Sequence, residues 1–391
     1  MTESRDMIYL DYAASTPVDP RVVEAMSAFM TADGNYANPS STHGAGRYSV
    51  EKIAAAAGQA AALLHTEPDR LVWTSGATES DNLAILGAAR YRANRGKHLV
   101  TMRTEHKAVT DPFSALQKRG FEVTWLEPHA DGVLDLERFE KALRDDTQLV
   151  SIMHVNNETG VIQDIAAIGQ ICRARDILFH VDAAQSCGKL PVDLSSLPVD
   201  LMSATAHKFY GPKGIGLLYI ADRKGVHVDP ILFGGGQQRR LRPGTLPTPQ
   251  IVGFGRTAEI AAACMDEDLL HLTALRDRLW GAIRDIPGIM INGNLEQGFP
   301  GILNVSVEDV DGESLLLALE PLCVATGSAC NSKSQEPSYV LRALGRSDDL
   351  AQSAIRFSFG RPTTADEVDI AVDRYRGGVE KLRALAPGRA A

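Results

Sequence analysis

From Leu71 to Ile220 the chain alternates short apolar runs with longer amphipathic stretches, and this alternation restricts the fold more than any other feature. Apolar runs fall at 71–74, 98–102, 122–126, 149–155, 178–182, 201–204 and 216–220. Helical spacing of apolar residues fills the intervals that end at 91 and those at 108–119, 136–144 and 165–175. A strand that is apolar on both faces needs cover on both sides, and strands separated by helices pair in parallel. The sequence therefore predicts an α/β fold: a mostly parallel sheet covered by helices.

The flanks extend this plan. A strand is predicted at 7–10, a turn at 16–20, helices at 21–30 and 47–64, and a loop rich in Asn, Pro, Ser and Gly at 35–46. Residues 229–249 read as loop, with Gly234-Gly235-Gly236 and several prolines. A helix at 250–268 leads to an α+β region: helix 269–285, strands 289–292 and 302–307, helix 312–319, strand 322–325, helix 337–344, strand 354–359 and helix 365–384. A chain of 391 residues exceeds what one compact core holds. Two domains are expected, a large α/β domain over 16–262 and a smaller α+β domain made of 1–15 and 263–391.

Composition enters where it excludes. The formal net charge of -9 argues against direct nucleic-acid binding, because phosphate contacts need a basic face. Arg239, Arg240 and Arg242 make one small basic patch. The cysteines are Cys172, Cys187, Cys264, Cys323 and Cys330; their odd number and the lack of a CxxC pair fit neither a disulfide framework nor a zinc site. No apolar leader and no membrane-length apolar run stand in the sequence. The expectation is a cytoplasmic protein without membrane contact.

In open α/β sheets, ligands bind beyond the carboxyl ends of the strands. Polar residues gather there at Thr104-Glu105-His106, Asn156-Asn157, Asp182 to Gln185 and Thr205 to Lys208. Lys208 follows an apolar run and precedes a Gly/Pro loop. Partial desolvation at such a place lowers a lysine pKa and makes it a nucleophile towards carbonyls; taken alone, the residue reads equally as a turn lysine. The segment Ser75-Gly-Ala-Thr-Glu-Ser80 is either an N-terminal cap with Glu79 in the first turn or an anion site at a helix N-terminus. A nucleophilic lysine, a phosphate cradle and the strand-end Asp182 together are the parts of a pyridoxal 5'-phosphate site.

The stretches that carry these residues resemble the NifS/IscS cysteine desulfurases, in the class V aminotransferase group of fold type I pyridoxal phosphate enzymes. The resemblance runs from Tyr9 to about residue 385 through YLDYAASTPVDPR, TSGATESDNLAI, TEHKAV, HVDAAQSCGKLPVDL, AHKFYGPKGIG, ATGSACNSKSQEPSYVLRALG and IRFSFGR. It implies that Lys208 forms the Schiff base, that Asp182 pairs with the pyridine nitrogen and that Gln185 bonds the ring hydroxyl. By the same resemblance His106 stacks on the ring as acid and base, while Ala77, Thr78, Thr205 and His207 hold the phosphate. Asn157, beside the cofactor, and Arg356 grip the substrate carboxylate. Thr245 reaches the phosphate of a second subunit, which makes the protein a homodimer. Cys330 receives sulfur from L-cysteine and leaves L-alanine. The persulfide then serves a sulfur-acceptor protein, such as an iron–sulfur scaffold or a thiolation enzyme, or DNA phosphorothioation.

Cys330 lies among small polar residues between Thr326 and Ser334, a setting suited to a thiol that collects sulfur and then delivers it. The attacking species is the thiolate, which Lys333 or a site histidine would favour. The other cysteines are expected to pack as small apolar residues. The loop reads ATGSACNS where relatives often have SSGSACTS, and Gln238 stands where they carry glutamate. The closing ALAPGRAA lacks the aromatic tail with which relatives dock scaffolds, so docking by that route is not expected. Rival readings are a selenocysteine or cysteine lyase, a class V aminotransferase and a non-catalytic partner. They differ in dependence on Cys330, need for a keto acid and retention of cofactor.

Overall fold

The computed structural model describes residues 7–326 and 336–385. Its strands are β1 (Ile8–Tyr9), β2 (Leu71–Thr74), β3 (His98–Met102), β4 (Glu122–Leu126), β5 (Thr147–Ser151), β6 (Leu178–Asp182), β7 (Leu201–Thr205), β8 (Gly216–Ile220), β9 (Ile289–Ile291), β10 (Ile302–Val307), β11 (Leu322–Cys323), β12 (Ala325–Thr326) and β13 (Ile355–Ser358). Its helices are α1 (Pro20–Ser27), α2 (Gly44–Leu63), α3 (Ala77–Tyr91), α4 (Lys107–Gln117), α5 (Leu136–Ala142), α6 (Ile165–Ala174), α7 (Thr248–Ile283), α8 (Gly312–Ala318), α9 (Tyr339–Ala343), α10 (Asp348–Gln352) and α11 (Ala365–Leu385).

Seven strands form the main sheet, in the order β2-β8-β7-β6-β5-β3-β4. The pairs among β3 to β7 are parallel, and β8 runs against both its neighbours, β2 and β7. Successive side chains of a strand point to opposite faces, and both faces here are apolar. Val72, Leu99, Leu149, Leu178 and Leu201 pack with Leu83 and Ile85 of α3 and Phe113 of α4. The next residue along each strand faces the other way: Trp73, Val100, Val150, Phe179 and Met202 pack with residues of α2, α6 and α7. Each such side chain taken fully out of water contributes roughly 1.5–3 kcal/mol. The sheet is thus a buried layer, and its carboxyl edge is where polar residues collect.

A second, antiparallel sheet has the order β12-β13-β10-β9. It shares a core with α8, α11 and the C-terminal part of α7, including Val305, Phe357, Leu275, Leu279, Leu315 and Tyr375. β1 pairs in parallel with β11.

Three expectations need correction. The predicted helices 250–268 and 269–285 are one helix of 36 residues, α7, about 54 Å long at 1.5 Å per residue. No Gly or Pro interrupts it between 256 and 280, and Arg361 holds Asp268, at the predicted break, with bonds of 2.8 and 2.7 Å. The predicted strand 322–325 is two short strands in different sheets, because its first half pairs with the N-terminal segment and its second half with β13. The strand expected at 149–155 ends at Ser151. Beyond it Ile152 and His154 still donate to the carbonyls of His180 and Asp182, which carries the chain along β6 and out to Asn157.

Candidate active site

The carboxyl ends of β2, β3, β6 and β7, with the segment after β5, surround a cavity of about 430 Å³. Ala77, Thr78, His106, Asn157, Asp182, Gln185, Thr205, His207 and Lys208 all line it. Met153 and Lys213 line it too, and nothing in the sequence singled them out.

The loop between β2 and α3 turns at Gly76, with φ 154° and ψ 179°, a conformation that side-chain-bearing residues avoid. Gly216 of β8 passes directly beneath, where a Cβ would sit 2.7 Å from Gly76 Cα. Of the two alternatives the sequence left open, a side-chain cap is not formed among the described residues: the N-cap is Gly76, which makes no side-chain cap bond. Glu79 reaches back to the Ser75 N–H at 2.6 Å instead. Arg242 grips its carboxylate at 2.7 and 3.2 Å. Burial works against the Glu79 charge, but Arg242 and Ser75 outweigh it and hold the carboxyl below its ordinary value. The first turn of α3 therefore lines the cavity with its backbone donors uncapped, the arrangement that attracts anions.

His106 is the N-cap of α4, and its Nδ1 accepts from the Ala108 N–H at 3.1 Å. Burial is the main influence lowering its pKa, and Lys208 adds to it against the pull of Asp182. A neutral ring whose Nδ1 accepts carries its proton on Nε2. Asp182, the last residue of β6, accepts from the Ala184 N–H at 2.8 Å. Burial pushes this carboxyl above its ordinary value, against Ala184, His106 and Lys208. Such a group gains from a cation placed against it. Behind it, Asp81 on α3 and Glu105 are fully buried, and burial raises both carboxyls well above their ordinary value.

Lys208 follows β7 on a single helical turn. Its Nζ donates to the carbonyls of Ala13 and Ala14, at 2.5 and 3.0 Å. The segment bearing those carbonyls is tied in place by Thr16, whose N–H and hydroxyl donate to His207 O at 2.9 and 3.0 Å. Gln185 reaches the same segment, its Nε2 donating to Ala13 O at 2.8 Å. Burial first, then Lys208 and Lys213, take His207 down to about 4, so its ring is neutral near pH 7.

Other expected residues lie off the wall. Arg356 on β13 is buried, bonded to Asn157 O and to the Asp11 carboxylate at 2.7 Å each. It thus stands behind Asn157. Thr245 is exposed in the loop before α7. Cys330, and Lys333 with it, lie outside the described residues. Downstream of them, the Ser338 hydroxyl donates to Glu158 at 2.5 Å and the Tyr339 hydroxyl to Glu105 O at 2.7 Å, so the chain re-enters beside the His106 wall. Burial pushes the Cys187 thiol up to about 12 and raises Cys172 as well, which suits packing rather than reactivity.

The class-V aminotransferase family profile matches residues 8–370. The chain belongs to the class-V aminotransferase family. It is 55% identical over 381 residues to the cysteine desulfurase IscS of Klebsiella pneumoniae, covering 97% of this chain and 94% of that one. Among solved structures, a NifS-like protein superposes with a TM-score of 0.89 at 37% identity, over 96% of this chain and all of the other. SspA, solved in complex with cysteine, gives 0.79 at 36% identity, over 91% of this chain and all of that one. The fold is that of the NifS-like, fold type I class-V enzymes.

Proposed function

We propose that this protein is a pyridoxal 5'-phosphate-dependent cysteine desulfurase that converts L-cysteine to L-alanine and keeps the sulfur as a persulfide on Cys330. The observation that carries the reading is the convergence of Lys208, Asp182 and His106 on one cavity with the uncapped first turn of α3, in a chain 55% identical to a cysteine desulfurase.

The residues fit the cofactor at three points. The α3 turn, with Thr78, Thr205 and His207, suits a phosphate. The Asp182 carboxyl, which burial keeps from ionising easily, suits a protonated ring nitrogen. The Lys208 amine suits an aldehyde carbon. When bound, pyridoxal 5'-phosphate supplies an electron sink joined to the substrate α-carbon.

The chain's own groups do the rest. Asn157 and Arg356 receive the carboxylate of L-cysteine. The Arg356 Nε is buried and without a partner among the described residues, a donor suited to that anion. Lys208, with its amine free, would take the α-proton and return protons to carbon. His106, neutral with hydrogen on Nε2, moves the proton at substrate sulfur. The Cys330 thiolate attacks that sulfur: an S–S bond forms and the C–S bond breaks. The carbon keeps the electron pair and takes a proton to become the methyl group of alanine.

A homodimer in which the exposed Thr245 serves the second copy's site belongs to the same proposal. So do a cytoplasmic setting, delivery to a sulfur-acceptor protein, and the division into a domain over 16–262 and another over 1–15 and 263–391. The test is Lys208→Ala in cofactor-loaded protein. Loss of both the visible cofactor band and turnover of L-cysteine supports the reading, and a coloured, active variant overturns it.

A further inference from the structure

Lys189 is a basic side chain, its amine buried beside the site, that neither the resemblance nor the mechanism uses. It follows Gly188 seven residues after Asp182, and its Nζ donates to Gln185 Oε1 at 2.9 Å. Gln185 is buried, 3% exposed, and its Nε2 donates to Ala13 O, the carbonyl that also receives Lys208 Nζ. The two neighbours of this amide are unambiguous: an amine nitrogen of lysine gives a hydrogen, and a backbone carbonyl takes one. They force the amide to turn its oxygen to Lys189 and its NH2 to Ala13. One NH2 hydrogen goes to Ala13 O, and the second is left for the cavity that Gln185 lines. Lys189 and Lys208 also share a small second cavity with Tyr12, Tyr210, Asp268 and Phe299.

We propose that Lys189 is a positioning residue of the active site: it fixes the Gln185 amide with its NH2 towards the cavity and sets a cation beside Lys208. The proposal rests on Gln185 and Lys208 serving pyridoxal 5'-phosphate as set out above. The ionisable groups around the Lys189 amine are Lys208 and Arg356, which oppose its charge, Cys187, which favours it, and His207, whose ring is neutral near pH 7. Tyr12, Tyr210 and Asp268 face it across the small cavity. Burial, then Lys208 and Arg356, push Lys189 down to about 7. Its charge is therefore responsive near neutrality, while its hydrogen bond to Gln185 persists in either state.

The consequence has a definite sign. A donor on the ring oxygen draws electron density from the Schiff-base nitrogen, and a nearby cation opposes protonation there. Both lower the pH midpoint of the cofactor's visible band. Lys189→Met removes the cation and frees the amide oxygen that helps hold the donor in place, and it should raise that midpoint by about one pH unit, the size expected for one neighbouring like charge. Lys189→Arg keeps a donor and a permanent cation and should hold the midpoint at or below the wild-type value.

The experiment is a pH titration of the visible band in wild type and both variants, each loaded with pyridoxal 5'-phosphate. A Lys189→Met midpoint equal to wild type overturns the proposal, and so does a Lys189→Arg midpoint that rises as far as that of Lys189→Met. Should Lys189→Met not fold, an upward shift in Lys189→Arg overturns the proposal and a downward shift supports it. Wild-type protein that loads no cofactor overturns the underlying reading instead, and this is seen before any variant is compared.

Discussion

Replacing Asp182 by asparagine should move activity and apoprotein stability in opposite directions. The carboxyl is buried at the end of β6, with Ala184 N–H as a hydrogen-bond donor and His106 and Lys208 as nearby charges or dipoles. With a protonated ring nitrogen against it, the pair is a buried ion pair, and removing one partner of such a pair costs about 3–5 kcal/mol. At about 1.36 kcal/mol per tenfold, the lower figure already means a loss of ~100-fold in turnover. Without cofactor, Asp182 is a buried acid whose pKa is raised. A carboxyl of that kind contributes its full stability below the unfolded pKa and loses it as pH rises through the folded one. Above that range the ionised side chain burdens the apoprotein, and asparagine, of the same shape and uncharged, relieves it. Turnover of L-cysteine in cofactor-loaded protein and urea midpoints of cofactor-free protein at neutral pH measure the two effects. An Asn variant that binds cofactor and keeps wild-type turnover, or an apoprotein less stable than wild type, would refute the reasoning.

Two further outcomes are expected. Gly76→Ala forces a side chain into a backbone conformation that costs about 1–3 kcal/mol, so its urea midpoint should fall and its affinity for pyridoxal 5'-phosphate should drop; an unchanged midpoint would count against the strained loop. Burial pushes Glu158 from 4.5 up to about 7, with Ser338 and Arg356 opposing. Its contribution to stability is full below about 4.5, declines as pH rises and is gone above about 7, a change of about 3 kcal/mol. The unfolding free energy of wild type relative to Glu158→Gln should fall by that amount across the interval, and a difference independent of pH would contradict the burial of this acid.

Much of the fold was legible because unbroken apolar runs such as those holding Leu99-Val100 and Leu201-Met202 mark strands buried on both faces, and the amphipathic stretches between them mark the covering helices. The site was legible for a related reason. Asp182 at the end of one apolar strand, and His106 and Lys208 just beyond two others, are polar residues where a buried sheet leaves no structural need for them. What the sequence hid was set by distant partners. Residues 322–325 divide because β1 and β13, far away in the chain, each claim half of them. The sequence left the start of α3 open between a cap and an anion site because serine and threonine flank the turn; Gly76 at the N-cap position leaves no side-chain cap there, and Glu79 bonds Ser75 and Arg242 instead. Nothing in the sequence marked Lys189; only the packing of Gln185 against the N-terminal segment brings it to the site. Arg356 was found by its motif, but its place behind Asn157, paired with Asp11, comes from a contact across 345 positions of the chain.

The most direct test is a single turnover. Cofactor-loaded protein, given one equivalent of L-cysteine without reductant, should form one alanine for each persulfide found on the peptide carrying Cys330, and Cys330→Ala should form neither at the wild-type rate. Alanine released without a Cys330 persulfide, or at an undiminished rate in Cys330→Ala, would contradict the desulfurase account.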